Sequence, residues 1–205
     1  MKKGIKYTVF IIIAGVTLFN SMYLLPLDEK LASEEIREFD ASAYVDGMWT
    51  DLQTAYNGAV EINSLFDKLR QDPAQTFSQE SNALGIGNIG YFKVKGEGVV
   101  QEVNENNVII LAGDQNVEIE TEFIFGNAIR DASGLIRIND FDKTSDLNSI
   151  SESINEKVRK QLIPDFRTKV KKGDHISFQG AIELNKAHLD LNEPEIIPIS
   201  LQIVP

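Results

Sequence analysis

The chain contains no cysteine. Disulfides, thiolate metal ligands, a cysteine nucleophile and lipid attachment through a lipobox cysteine are therefore excluded for these residues. Histidine is nearly as scarce, with His175 and His188 the only two. No H-E-x-x-H zinc motif and no G-x-S-x-G nucleophile elbow occurs. Bases are outnumbered, 20 Lys and Arg against 31 Asp and Glu, for a net charge of −11. Lys2, Lys3 and Lys6 stand at the extreme N-terminus, where there is no acid, so the remainder is more acidic still. Such a surface repels phosphate backbones, and nucleic acid is not an expected partner.

What is present begins with an uncharged run from Tyr7 to Leu27, rich in Ile, Val, Leu and Phe. As a helix rising ~1.5 Å per residue, it spans about the ~30 Å of a bilayer's hydrocarbon core. With the three lysines kept cytoplasmic, the acidic bulk faces outward. The expectation is an uncleaved single-pass anchor in the cytoplasmic membrane, with the C-terminal part extracytoplasmic (periplasmic). A cleaved signal peptide is the rival, but the run is long for one and Asn20-Ser21-Met22 makes a poor cleavage site.

Residues 28–90 read as a helical segment with a linker. Asp40 suits an N-cap, and Tyr44, Met48 and Leu52, flanked by Val45, Trp49 and Tyr56, recur at helical spacing. Trp49, the only tryptophan, is expected to anchor the core from that stripe. A second helix is expected from Ser64 to Arg70. A third opens at Pro73 with Asp72 as its cap and ends near Gly85. Gly85 to Gly90 follows a helix and precedes a strand, the reverse of a phosphate-binding loop's setting, and reads as a linker.

From residue 91 to 205 the period falls to two. Phe92–Val103 is a long strand bent at Gly96 and Gly98, and Val108–Leu111 returns. Val117 to Phe125 alternates, with Glu118, Glu120 and Glu122 on an expected solvated face. Leu147, Ile150, Ile154, Val158 and Leu162 mark a helix that Pro164 should end, capped by Ser145 or Asp146. Ile176–Leu184 and Ile197–Ile203 are the last strands. Pro198 is expected at an edge or at the start of pairing, because it cannot donate. Three strands, a helix and two strands is the order of an OB-fold. The predicted class is α+β: an OB-like five-stranded β-barrel behind a helical segment and one transmembrane helix. An immunoglobulin-like sandwich needs about seven strands and no central helix.

Phe39–Asp46 with Trp49, Val94–Gly98, Gly126–Asp131 and Ile138–Phe141 together resemble an uncharacterised bacterial family, the predicted periplasmic lipoproteins of unknown function. The resemblance runs over roughly residues 39 to 203. It implies an OB-like fold behind a helical region and, from the family's frequent place beside sugar ABC-transporter genes, transporter subunits as partners. Many members carry a lipobox cysteine. This chain has none, so the apolar helix must serve as its anchor.

The insertion between the third strand and the helix holds the candidate ligand- or partner-binding residues: Arg130, Asp131, Asn139, Asp140 and Phe141. They offer a cation, two carboxylates, an amide and a ring, enough to hold a small polar ligand. The competing structural reading is an Arg130–Asp131 or Arg130–Asp140 ion pair and an Asn139–Asp140 turn. Alternate oxygen ligands from Asp140 to Asn148 imitate a calcium loop, but Ser145 replaces its glycine and Ser151 its glutamate. No metal and no cofactor is expected. The leading function is a non-enzymatic binding or assembly module, accessory to a transporter, with self-association left open. An enzyme acting on envelope carbohydrate is the alternative, and an oligonucleotide-binding barrel using Tyr91, Lys93 and Lys95 is the third.

Overall fold

The computed structural model describes residues 2–21, 39–83 and 87–204. Two units make up the chain, Met1–Phe39 and Asp40–Pro205. In the first, helix α1 covers Lys2–Ser21 and contains most of the apolar run. Among the described residues no helix is long and apolar enough to cross a membrane. The far end of the expected span, Met22–Leu27, lies outside them, as does the start of the expected linker at Gly85 and Ile86.

The second unit opens on α2 (Ala41–Ala55), where the Asp40 carboxylate accepts from the Ala43 N–H at 2.9 Å. Its buried side chains are Val45 and Leu52, and Tyr56 follows them inward. Trp49 does not join them: it is half-buried, with the Lys157 ammonium 5.1 Å from its ring centroid. The apolar stripe is centred on Val45 and Leu52, and Trp49, one turn from each, lies on its flank, so the indole is only partly covered. A two-residue strand β1 (Val60–Glu61) leads into α3 (Ile62–Gln71), which buries Ile62, Leu65, Phe66 and Leu69 on one face. Helix α4 (Pro73–Glu80) is capped by Asp72, which accepts from the Gln75 N–H at 2.9 Å, and ends well before Gly85. Strand β2 is Ser81–Asn82.

Five longer strands follow: β3 (Ile89–Val103), β4 (Asn107–Ala112), β5 (Gln115–Glu120), β6 (His175–Asn185) and β7 (Glu195–Val204). They close into a ring in the order β3-β4-β5-β7-β6 and back to β3. Closure depends on β3 serving two neighbours, β6 along Ile89–Val99 and β4 along Val99–Val103. At the handover a Cβ on Gly98 would lie 2.7 Å from the Leu111 carbonyl oxygen, so only glycine lets β4 come in this close. The short strands β1 and β2 add to β3, and α3 packs on it, so the helices of residues 40–83 share one compact unit with the ring.

β7 lies between β5 and β6, not at an edge. Pro198 is accommodated because β7 pairs with β5 only at Glu195 and Ile196, and its register with β6 shifts between Gln179 and Gly180. β5 also departs from expectation. It ends at Glu120, and Glu120 is only 5% exposed, not on a solvated face. The Thr121 and Glu122 N–H groups both turn to the Asn106 carbonyl, at 2.9 and 3.1 Å, which breaks the alternation.

The insertion contains α5 (Ala128–Ser133) and a 3-10 turn at Ile138–Asp140. Helix α6 (Thr144–Lys157) starts from Lys143 with no side-chain cap, so neither Ser145 nor Asp146 does that work. Pro164 does not end the helical run. A π-helical turn, Val158–Leu162, carries the chain into α7 (Ile163–Arg167). The Ile163 N–H reaches the carbonyl of Val158, five residues back. This wider turn makes room for a proline ring that clashes with, and cannot bond, the carbonyl four residues before it.

Candidate functional site

The segment that leaves β5 determines the geometry of the site. Ile124 is fully buried and pins the segment to the core. Its carbonyl accepts from the Arg159 guanidinium, which the π-helical turn delivers. Burying Ile124 in an extended stretch turns both neighbours outward, so Phe123 is 54% exposed and Phe125 59%. The two rings lie 6.5 Å apart at 35°, and Phe123's N–H donates to Glu120 Oε2 at 3.2 Å. Serine or lysine would hold the same backbone at less cost in exposed apolar surface, so the pair is a costly feature of this face.

Beneath them is an open cleft of about 360 Å³ lined by Phe123, Phe125, Ala128, Glu183, Glu195 and Ile197. Strand β6 supplies Glu183, β7 supplies Glu195 and Ile197, and α5 supplies Ala128. The two carboxylates belong to a larger acidic wall. Glu195's acid is raised above the ordinary range by burial first and then by the charges of Glu118 and Glu183. Glu120 is raised by burial, Glu195 and Glu118, against a lowering hydrogen bond from the Phe123 N–H. Asn107 Nδ2 donates to Glu118 at 2.9 Å. None of the four glutamates has an ion-pair partner among the described residues. Nor does any group of three or more His, Asp or Glu there have an arrangement that could hold a metal ion.

Behind this wall lies the buried pair. Tyr91 stands opposite Glu183 in register, and its phenol is pushed up to about 12 by burial, then by the carboxylates of Glu183 and Asp131. Arg130 Nε donates to Asp131 Oδ1 at 2.6 Å with both side chains buried, and Arg130 Nη1 donates to the Leu147 carbonyl at 2.8 Å. Tyr56, fully buried, donates to the Ile129 carbonyl at 2.8 Å, and Asn82 Nδ2 donates to the Ala132 carbonyl at 2.9 Å. Helix α5 is thereby tied to α2's end, β2 and α6 at once. The pair is scaffolding that fixes one wall of the cleft.

The other three candidates are elsewhere on the insertion. Asn139 and Asp140 are exposed on the 3-10 turn. Phe141 sets its ring edge-on to Tyr44, centroids 5.6 Å apart, and docks the insertion on α2. Asp140's charge and, before it, burial raise the Tyr44 phenol. No hydrogen bond or ion pair joins Arg130 or Asp131 to Asn139 or Asp140. The residues that sequence reasoning did not single out are Phe123, Phe125, Glu183 and Glu195. Their one local signal was a Phe-Ile-Phe triplet closing a strand.

A ring of five strands in OB order, with helices packed on it and an aromatic cleft at its rim, defines the class as an OB-like α+β domain. The chain belongs to the family of predicted periplasmic lipoproteins of unknown function (DUF2291), whose model matches residues 12–202. A solved OB-fold protein from Thermotoga maritima is similar to it, with 22% identity, a TM-score of 0.75, and coverage of 82% of this chain and 100% of that one. That likeness establishes the OB fold. No curated protein matches the sequence. Family membership makes the absence of cysteine informative: these residues offer no thiol for a lipid.

Proposed function

We propose that the protein is a membrane-tethered extracytoplasmic binding module that performs no chemistry, with the cleft under Phe123 and Phe125 as its binding site. The observation that carries this is the exposed aromatic pair over a concave surface, built by burying the residue between them. The family's periplasmic placement supports the location. The lysines in the first turns of α1, and a sequence without a lipidation cysteine, support a helical tether. A subunit of a membrane transporter, the sugar importer implied by the family resemblance, is the proposed partner.

The test compares C-terminally tagged wild type with a Phe123→Ala/Phe125→Ala variant, each expressed in the native host and recovered from detergent-solubilised membranes. Quantitative mass spectrometry is expected to find transporter permease or binding-protein subunits with the wild type, at least tenfold depleted with the variant. Identical prey from both proteins overturns the cleft as the binding site. Release of the wild type from membranes by alkaline carbonate overturns the helical tether.

A further inference from the structure

We infer that the cleft under Phe123 and Phe125 binds an organic cation of small-molecule size, an ammonium or guanidinium compound. This rests on the cleft being a binding site and names the chemistry of its ligand. The lining decides the sign. Its polar side chains are Glu183 and Glu195, which when ionised only accept hydrogen bonds, and it holds no side-chain donor. A sugar or other polyol presents acceptors as well as donors, and half of its hydrogen-bonding capacity would go unmet against these walls. An ammonium presents donors alone and matches them.

The remaining wall agrees. Phe123 and Phe125 present ring faces and edges to solvent, and a ring face attracts a cation within about 6 Å of its centroid. Phe125 already has the Arg159 guanidinium 5.3 Å from its centroid. That charge is balanced elsewhere, since Arg159 bonds Glu152 at 2.6 Å, and it offers nothing to Glu183 or Glu195. The carboxylates of Glu118, Glu120, Glu183 and Glu195 have no ion-pair partner among the described residues; burial first and then the neighbouring carboxylates raise Glu195 and Glu120, and a bound cation relieves the second of these. A cleft of about 360 Å³ is at the small end of ligand sites, the size a compact amine fills.

The experiment uses the full chain in detergent, labelled with 4-fluorophenylalanine, with the Phe123 and Phe125 resonances assigned from Phe123→Leu and Phe125→Leu. Spermidine, tetramethylammonium, glucose and a lysine-rich peptide are titrated separately at fixed ionic strength. Spermidine or tetramethylammonium is expected to shift both resonances along a saturating curve, and Glu183→Gln/Glu195→Gln to weaken that binding at least tenfold while the other fluorine signals stay in place. Saturation by glucose alone overturns the cation and leaves the cleft a binding site. Saturation by the peptide alone overturns the small-molecule source. Cation binding unchanged in the double variant overturns the role of the carboxylates, and no response to any probe overturns the inference as a whole. A variant whose other fluorine signals move is replaced by Glu195→Gln alone, and unweakened binding in that variant counts against the inference.

Discussion

Arg130 and Asp131 are neighbours in sequence and partners in space, Nε 2.6 Å from Oδ1, with both side chains almost sealed from solvent. Successive residues on a helix diverge by about 100°, so the pair meets only because both side chains bend into the same dry site. Burial raises the Asp131 acid despite the lowering pull of Arg130. Desolvation therefore outweighs attraction, as is common for buried pairs, and the pair's value lies in fixing α5. Arg130→Ala should cost about 3–5 kcal/mol, because it strands the Asp131 carboxylate and frees the Leu147 carbonyl. Arg130→Met/Asp131→Leu should cost less than Arg130→Ala alone. Urea denaturation of the single and double variants checks both statements, and strict additivity would contradict them.

Ring closure makes a second prediction. A Cβ on Gly98 would meet the Leu111 carbonyl oxygen at 2.7 Å, and one on Gly180 the Ile197 carbonyl oxygen at 2.5 Å. Both obstacles are backbone, so neither can swing aside. Gly98→Ala and Gly180→Ala are each expected to destabilise by about 2 kcal/mol or more, in the range of overpacked cores. Gly87→Ala, with nothing within 4 Å of the new methyl, should be near neutral. Thermal melts of the three variants make the comparison.

These glycines also show what was legible in the sequence. Gly96 and Gly98 inside an alternating run announced a bent strand, and strand order with one intervening helix announced the OB topology. Local chemistry was equally readable at Asp40 and Asp72, whose caps form as expected. Reading failed where a tertiary partner overrides the local pattern. Thr121 and Glu122 end β5 because Asn106, on the preceding turn, takes their N–H groups. Pro164 continues a helix because the π-helical turn ahead of it absorbs the ring. The cleft was invisible because Glu183 and Glu195 come from strands far along the chain from Phe123. Of the five residues singled out on the insertion, the structure puts Arg130 and Asp131 behind the cleft and Asn139, Asp140 and Phe141 on the turn near α2.

The triplet Phe123-Ile124-Phe125 separates function from stability in three adjacent positions. Ile124→Ala removes a fully buried side chain and should cost about 2–5 kcal/mol. Phe123→Ala exposes little that was hidden and should change stability by about 0.5 kcal/mol or less. Phe125→Ala should cost slightly more, since it forfeits the Arg159 contact. Chemical denaturation ranks the three. If Phe123→Ala is as damaging as Ile124→Ala, the ring is part of the core and the binding role proposed for it is lost.

Glu120 supplies a pH test whose sign follows from its surroundings. Its folded acid is raised by burial, then by Glu195 and Glu118, whereas in the unfolded chain it titrates near the ordinary value of about 4.3. A raised acid contributes stability that is fully present below that ordinary value and lost as pH rises through the folded one. At neutral pH the ionised Glu120 is thus a liability. Glu120→Gln removes the charge and keeps an oxygen to accept the Phe123 N–H. The variant should melt about 1–3 °C above wild type at pH 7. The gain should shrink as pH falls toward 4, because protonation of the folded-state Glu120 removes the charge that the substitution deletes. Melting at pH 7, 5.5 and 4 in constant salt measures this. An advantage that grows on acidification would mean that a nearby cation, not crowding by Glu195 and Glu118, governs the Glu120 charge, and the acidic wall would then be compensated already in the free protein.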